Sequence, residues 1–229
     1  MTPGRQARCI LRSHHWAALG TSAAGEGGHP YVSAVEFVLS QDARPLILLS
    51  RLAEHTRNLM RDPRVSLLAA EPGRDALARA RLTLLGEAVE VPGDGPLLSR
   101  YVRYFPEARR YLALGDFSLF AIEPLKARCI AGFGEIRWIA GGELRAPPTN
   151  LEARETEVIA HTDPDTFARL ARGLTPSEGA AEFLAALVGV DCDGVDLRVN
   201  GRLVRRDFPE PVLGEEAARR ALDALGRET

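Results

Sequence analysis

One stretch of the sequence, Arg44 to Asp62, concentrates polar side chains of the types that bind ligands. It reads RPLILLSRLAEHTRNLMRD. Its first part, Pro45 to Leu49, is a short and continuously apolar run, which predicts a strand buried on both faces. Its second part brings polar groups to the end of that strand and into a short helix, which Asp62 and Pro63 stop. These polar residues are Ser50, Arg51, His55, Thr56, Arg57 and Asn58.

A junction between a strand and a helix suits an anion, because backbone N–H groups and the positive end of the helix dipole point outward there. Arginine adds a planar fork that matches two phosphate oxygens. We therefore predict that a phosphate-bearing cofactor is held at this junction. The same pattern is also compatible with an ordinary surface helix that carries solvated arginines.

Bulk composition limits the classes of function. The chain has 229 residues, 45% hydrophobic and 26% charged, which is typical of a soluble globular protein of one large or two small domains. A net charge of -2 favours neither a nucleic acid nor an anionic membrane as partner. We see no apolar run long enough to span a membrane and no signal-peptide core. Three widely spaced cysteines without a C-x-x-C pair predict a reducing, cytoplasmic setting and no zinc motif.

Several familiar chemistries lack their residues. Lys126 is the only lysine, so a Schiff base would have to form there, and no phosphate-binding G-x-x-x-x-G-K motif is present. No serine has the G-x-S-x-G context of a hydrolase. No two histidines have H-x-x-x-H or H-E-x-x-H spacing, so we predict no protein-bound metal ion.

The pattern of elements predicts an antiparallel barrel or sandwich, because several short strands recur with few helices between them. A helix is predicted over 6–14, with Cys9, Ile10 and Leu11 facing inward, and further helical signals lie between Gly93 and Leu114. The predicted strands are 16–21, 31–38, 45–49, 64–71, 81–91, 117–122 and 127–133. Residues 137–139 are predicted to continue the edge of the sheet formed by the last of these strands.

The character of the sequence changes after the breaker-rich connection Gly141 to Thr149. Helices are predicted over 151–160, 164–174 and 180–188. A hairpin with an Asn200-Gly201 turn follows, and an amphipathic helix over 215–225 closes the chain. This part is predicted to form a small α+β module.

Taken together in this order, SRLAEHTRNL, DPR, RLTLLGEA, GDFSLF and AGFGEIRWI resemble the pyridoxamine-phosphate-oxidase-like flavin-binding split barrels. The chain is most similar to their haem-utilisation (HugZ-type) branch, because GVDLRVNGRLVRRDFPEPV and the alanine-rich last helix resemble that branch's C-terminal module. The resemblance implies an α+β protein: an antiparallel split β-barrel over residues 1–145 and a small α+β domain over 150–229.

The resemblance also implies a homodimer that binds FMN in the cleft between its two subunits. The residues that match its phosphate site are Ser50, Arg51, Thr56, Arg57 and Asn58, with Ser33 on the neighbouring strand. His55 is expected to donate a hydrogen bond to the phosphate or to cap its helix.

The sequence departs from the family at two places. The strand that carries Arg and Lys toward the flavin in true pyridoxamine-phosphate oxidases reads YVSAVEFV here and offers no cation. The His-Met-Asn…Asp-His signature of the module is replaced by His161-Thr-Asp163-Pro-Asp165, which keeps one histidine. His161 is the candidate for a haem ligand by its position alone.

Three functions therefore stay open. The first is an FMN-dependent oxidoreductase that acts on a small molecule, in which the flavin supplies the electron chemistry. The second is a haem-binding or haem-degrading protein, in which arginines pair with the propionates and a histidine ligates iron. The third is a non-catalytic barrel dimer that has lost its cofactor. The sequence identifies no catalytic residue.

Overall fold

The structure, a computed structural model, describes residues 1–23, 25, 27–70, 79–131, 136–171 and 184–227. The chain folds into two compact units, Met1–Ala146 and Pro147–Thr229. Among the described residues, no helix is both long and apolar enough to cross a membrane.

The first unit is a closed antiparallel barrel of six strands. The strands run in the order β3-β2-β1-β4-β5-β6, and pairing between β3 and β6 closes the barrel, while β7 extends the sheet beyond β6. This confirms the predicted fold class. The strands are β1 (Trp16–Ala23), β2 (His29–Leu39), β3 (Pro45–Ser50), β4 (Arg64–Ala70), β5 (Arg81–Glu90), β6 (Phe117–Ile130) and β7 (Ile136–Ala140).

Alternating residues of these strands fill the barrel. Leu19, Leu67, Leu82 and Leu84 are fully buried, whereas the residues between them face outward. Because successive side chains of a strand point to opposite faces, this alternation separates an apolar interior from an outer surface.

The longest strand, β6, replaces the two strands predicted over 117–122 and 127–133. Pro124 lies where the register between β5 and β6 shifts, next to Gly86. A bulge tolerates proline because the residue there need not donate a backbone hydrogen bond to the neighbouring strand. Gly86 is required at this point, since a Cβ would collide with the backbone of Glu123. The predicted residues 132–133 lie outside the described part of the chain.

Five helices accompany the barrel: α1 (Pro3–Arg12), α2 (Glu54–Leu59), α3 (Gly95–Tyr104), α4 (Ala108–Leu112) and α5 (Gly141–Leu144). Leu11 of α1 is buried as predicted, but Cys9 and Ile10 are only half-buried. Arginines occupy the rest of the inward face, and Arg12 donates to the carbonyl oxygens of Ser40 and Gln41. Guanidinium groups can be buried there because backbone carbonyls accept their hydrogen bonds.

The second unit contains a three-stranded antiparallel sheet in the order β10-β9-β8. Its elements are α6 (Leu151–Ala160), α7 (Pro164–Ala171), β8 (Ala185–Val190), β9 (Gly194–Val199), β10 (Arg202–Asp207) and α8 (Glu215–Leu225). Asn200 and Gly201 have φ values of 47° and 83°, so the predicted tight turn is present. The helix predicted over 180–188 is wrong where the chain is described, since Ala185–Val188 belong to β8.

Candidate anion-binding site

The corner between β3 and α2 is held by the start of β6. The backbone N–H of Arg51 donates to the carbonyl oxygen of Asp116 at 2.7 Å. The Ser50 hydroxyl donates to Asp116 Oδ2 at 2.6 Å and accepts from the Leu52 N–H at 3.1 Å. Ser50 was predicted to contact a phosphate, but the structure uses its hydroxyl hydrogen to fix the corner.

Helix α2 is too short to supply much of the predicted dipole. It spans six residues, its N-cap Ala53 makes no side-chain capping bond, and Glu54 already lies in its first turn. The apolar spacing that predicted a helix from Leu52 to Met60 is also misleading, since these two side chains are 70% and 69% exposed. Anion binding at this corner therefore depends on side chains.

One side of α2 borders a cavity of about 380 Å³, which we call the arginine cavity. Its walls come from the β3–α2 corner, α2 and the turn after it, the end of β5 and the start of β6. They carry three guanidinium groups, one carboxylate and one hydroxyl beside apolar side chains. The lining residues are Arg51, Thr56, Arg57, Met60, Arg61, Glu90 and Phe120.

Thr56 borders this cavity, but its hydroxyl is enclosed by the protein. Thr56 is 1% exposed, and its buried Oγ1 has no hydrogen-bond partner among the described residues. A buried hydroxyl without a partner costs about 1–3 kcal/mol. Because protein atoms enclose Oγ1, a water or ligand atom in the arginine cavity does not reach it.

The arginine cavity is positively charged overall. Arg51 pairs with Glu90 at 3.2 Å and its Nε donates to the Ser118 hydroxyl at 3.3 Å. Arg57 is more than half exposed and pairs only loosely with Glu54, at 3.5 Å. Arg61 forms no ion pair with a described residue. Three arginines against one glutamate leave a net lining charge of +2, which suits an anion of two negative charges.

The other side of the corner borders a smaller cavity of about 200 Å³, which we call the aromatic cavity. The rings of Tyr111 and Phe117 stack in its wall, with centroids 5.2 Å apart. Burial lowers the pKa of His55 and raises the pKa of Glu36. A neutral imidazole and a carboxylate make this cavity unsuited to an anion. Its lining residues are Ala34, Val35, Glu36, Leu48, Leu49, Ser50, Ala53, His55, Tyr101, Ala108, Tyr111 and Phe117.

The structure thus divides the predicted site residues. Ser33 lies behind His55, and its Oγ is 3.0 Å from the imidazole Nδ1. Asn58 is fully buried and donates to the Thr21 hydroxyl at 3.1 Å, so it ties α2 to β1 and reaches neither cavity. The residues placed at the arginine cavity are Arg51, Thr56 and Arg57, and those placed at the aromatic cavity are Ser50 and His55.

Sequence reasoning missed four lining residues of the arginine cavity, namely Met60, Arg61, Glu90 and Phe120. Met60 and Arg61 directly follow the predicted cluster in the chain, so they were recoverable from the sequence. Glu90 and Phe120 carry no local signal, because the pairing of β5 with β6 brings them to the corner.

His161 lies in the second unit, directly after α6. Its Nδ1 is 2.8 Å from the carbonyl oxygen of Glu157. A carbonyl can only accept, so Nδ1 carries a proton and donates this hydrogen bond.

Residues 4–130 match the protein-family model described as Pyridoxamine 5'-phosphate oxidase. The chain belongs to this family. It is 33% identical over 134 residues to the chloroplastic non-canonical heme oxygenase HOZ of Arabidopsis thaliana, which covers 58% of the chain but only 41% of HOZ. It is 32% identical over 125 residues to the heme oxygenase HutZ of Vibrio cholerae, covering 51% of the chain and 70% of HutZ.

Two solved structures of this fold match almost the whole chain. The protein Atu2129 of Agrobacterium tumefaciens, of unknown function, superposes with a TM-score of 0.78 at 28% identity and covers 98% of each chain. A heme-binding protein from Mycobacterium smegmatis superposes with a TM-score of 0.58 at 28% identity, covering 100% of this chain and 97% of the other. The haem-utilisation branch is thus the part of the family that the chain resembles.

Proposed function

We propose that this protein binds haem and takes part in haem utilisation, with the haem propionates held in the arginine cavity. The observation that carries the proposal is a cavity lined by three guanidinium groups against one carboxylate. The names of HOZ, HutZ and the mycobacterial protein support haem as the ligand.

The side chains fit two carboxylates. A guanidinium group binds a carboxylate through two parallel N–H···O bonds, and Arg57 of α2 and Arg61 of the turn after it both line the cavity. Phe120 supplies an apolar wall, and the two propionate charges balance the lining charge of +2.

We further propose that the protein acts as a homodimer. A tetrapyrrole extends beyond a cavity of about 380 Å³, so a second surface must cover the remainder. Trp16, Val32 and Leu68 lie on the adjacent strands β1, β2 and β4, and are 42%, 63% and 39% exposed. Exposed apolar residues on one sheet face are typical of an interaction surface, and a second copy of the chain is the partner that we propose.

We propose that a histidine ligates the iron, and His55 and His161 are the two candidates. Burial lowers the pKa of His55, which favours the neutral form that can ligate iron. Haem, when bound, supplies an iron centre whose reaction with oxygen can open its own ring. The chain's own residues bind the propionates and supply the imidazole.

FMN is the second candidate, since the family description names a 5'-phosphate substrate and a phosphate dianion would suit the same arginines. The strand β2 offers no cation to such a phosphate, so all positive charge comes from the α2 side. FMN-dependent oxidation of a small molecule is therefore the alternative that the binding experiment must exclude. A barrel without a cofactor is the third outcome.

The test is to titrate the purified protein with haem and, separately, with FMN, and to record absorption spectra. We expect a Soret band with haem and no change in the flavin spectrum. Arg57→Ala combined with Arg61→Ala should weaken haem binding about tenfold or more, because each charge-assisted hydrogen bond contributes about 1.5–3 kcal/mol. Comparison of the Soret position of His55→Ala with that of His161→Ala identifies the histidine that ligates the iron.

Flavin binding without haem binding would overturn the proposal, and binding of neither would leave the cofactor-free barrel. Haem degradation is tested by adding ascorbate and air to the haem complex. A loss of the Soret band that depends on Arg57 would extend the function from haem binding to haem breakdown.

A further inference from the structure

We infer that Glu90 is an internal counter-anion that sets how many negative charges the arginine cavity accepts. The inference deepens the proposed function, because it concerns the ligand class of the same cavity. It stands on the ion pair between Glu90 and Arg51 and on the charges of the cavity wall.

The pair links two strand ends. Glu90 is the last residue of β5, and Arg51 follows the last residue of β3. Their side chains meet at 3.2 Å between Arg51 NH2 and Glu90 Oε1, with 66% and 44% of the side chains exposed. The Glu90 carboxylate therefore occupies the position on Arg51 that a ligand carboxylate would take.

The charged groups lining the cavity are Arg51, Arg57, Arg61 and Glu90. Glu90 reduces the charge of the lining to +2, and Glu54, which pairs with Arg57 at 3.5 Å from outside the lining, lowers the local charge further, so a third negative charge on a ligand is not compensated. A protein that binds a tetrapyrrole with two propionates benefits from this limit, because phosphorylated metabolites with more charge are not favoured. Glu90 is thus a specificity-determining residue, and Arg51 is the arginine whose availability it controls.

A series of benzene carboxylates tests the inference without haem. Benzoate, benzene-1,3-dicarboxylate and benzene-1,3,5-tricarboxylate carry one, two and three charges on one ring, and calorimetry at constant ionic strength gives their affinities. For the natural protein we expect the second carboxylate to increase affinity and the third to add little. For Glu90→Gln we expect the third carboxylate to increase affinity about three- to fivefold, because a new ion pair with the partly exposed Arg51 should have the strength of an exposed ion pair.

Glu87→Gln is the matched control, because Glu87 is an exposed glutamate of the same strand outside the cavity lining. It should leave all three affinities unchanged. If Glu90→Gln binds every probe more weakly, Glu90 positions Arg51 and does not compete with the ligand, and the inference is wrong. The same is true if Glu90→Gln and Glu87→Gln behave alike.

Haem binding is measured on the same variants to separate the two proposals. If the natural protein binds the dicarboxylate but not haem, the proposed function fails, while the response of Glu90→Gln still decides the role of Glu90. If haem binds but the charge series is unaffected by Glu90→Gln, the function stands and the inference fails.

Discussion

Replacing Thr56 by valine should make the protein more stable without weakening haem binding. Valine has nearly the shape of threonine and lacks only the hydroxyl, which is buried and without a hydrogen-bond partner among the described residues. Such a group costs about 1–3 kcal/mol, so its removal should raise the free energy of unfolding by about 1 kcal/mol. For a chain of 229 residues this corresponds to an increase in Tm of about 2–4 °C.

The same substitution should leave haem affinity unchanged, because the enclosed hydroxyl does not face the arginine cavity. The contrast matters, since an ordinary destabilised variant would lose stability and affinity together. Thermal unfolding of the ligand-free protein and haem titration measure the two effects.

Thr21→Val is the matched control. Thr21 is also buried, but its hydroxyl accepts a hydrogen bond from Asn58 Nδ2 at 3.1 Å. Its removal leaves a buried amide hydrogen without an acceptor and should lower the free energy of unfolding by about 1–3 kcal/mol. If Thr56→Val lowers Tm as Thr21→Val does, the Thr56 hydroxyl has a partner in the ligand-free protein, and our reasoning about this hydroxyl is refuted.

Three further predictions concern stability and assembly. Arg205→Met should lower the free energy of unfolding of the second unit by about 3–5 kcal/mol, because the buried guanidinium group pairs with two buried aspartates. The exposed Arg202→Met is the control, and equal Tm values for the two variants would contradict this prediction. Hydrogen bonds from Arg64 lower the pKa of Asp62 to about 2, so its contribution to stability is complete above pH 4 and is lost as the pH falls toward 2; Asp62→Asn should flatten this acid limb in denaturation curves. Leu68→Glu should convert the proposed dimer to a monomer in light scattering, and a monomeric natural protein would contradict the proposed dimer.

Local patterns in the sequence were sufficient wherever one element could be read alone. The Asn200-Gly201 turn and its two strands follow from turn chemistry and alternation, and α6 and α8 have the predicted bounds. The strand prediction failed at Pro124, because a proline normally ends a strand and the sequence was therefore divided into two strands there. The bulge that accommodates it depends on Gly86 of the partner strand, which no pattern within β6 records.

The family resemblance indicated the barrel and the corner at Ser50 and Arg51, but it could not assign each side chain to a face. Ser50 and Asn58 were both predicted to contact the phosphate. Asn58 instead bonds across to Thr21, 37 positions earlier in the chain, and Ser50 donates to Asp116. Such partners are distant in sequence, so their pairing is a property of the packed barrel.

Hydrophobic period and turn residues act over a few positions, so most elements, their order and the concentration of arginine after β3 can be read from the amino-acid sequence. The polar groups that share a cavity are set by packing between distant parts of the chain. Leu59 and Asn58 of α2 are buried, whereas Thr56 and Arg57 line one cavity and His55 lines the other. The pairing of β5 with β6 then adds Glu90, whose carboxylate offsets one of the three arginine charges.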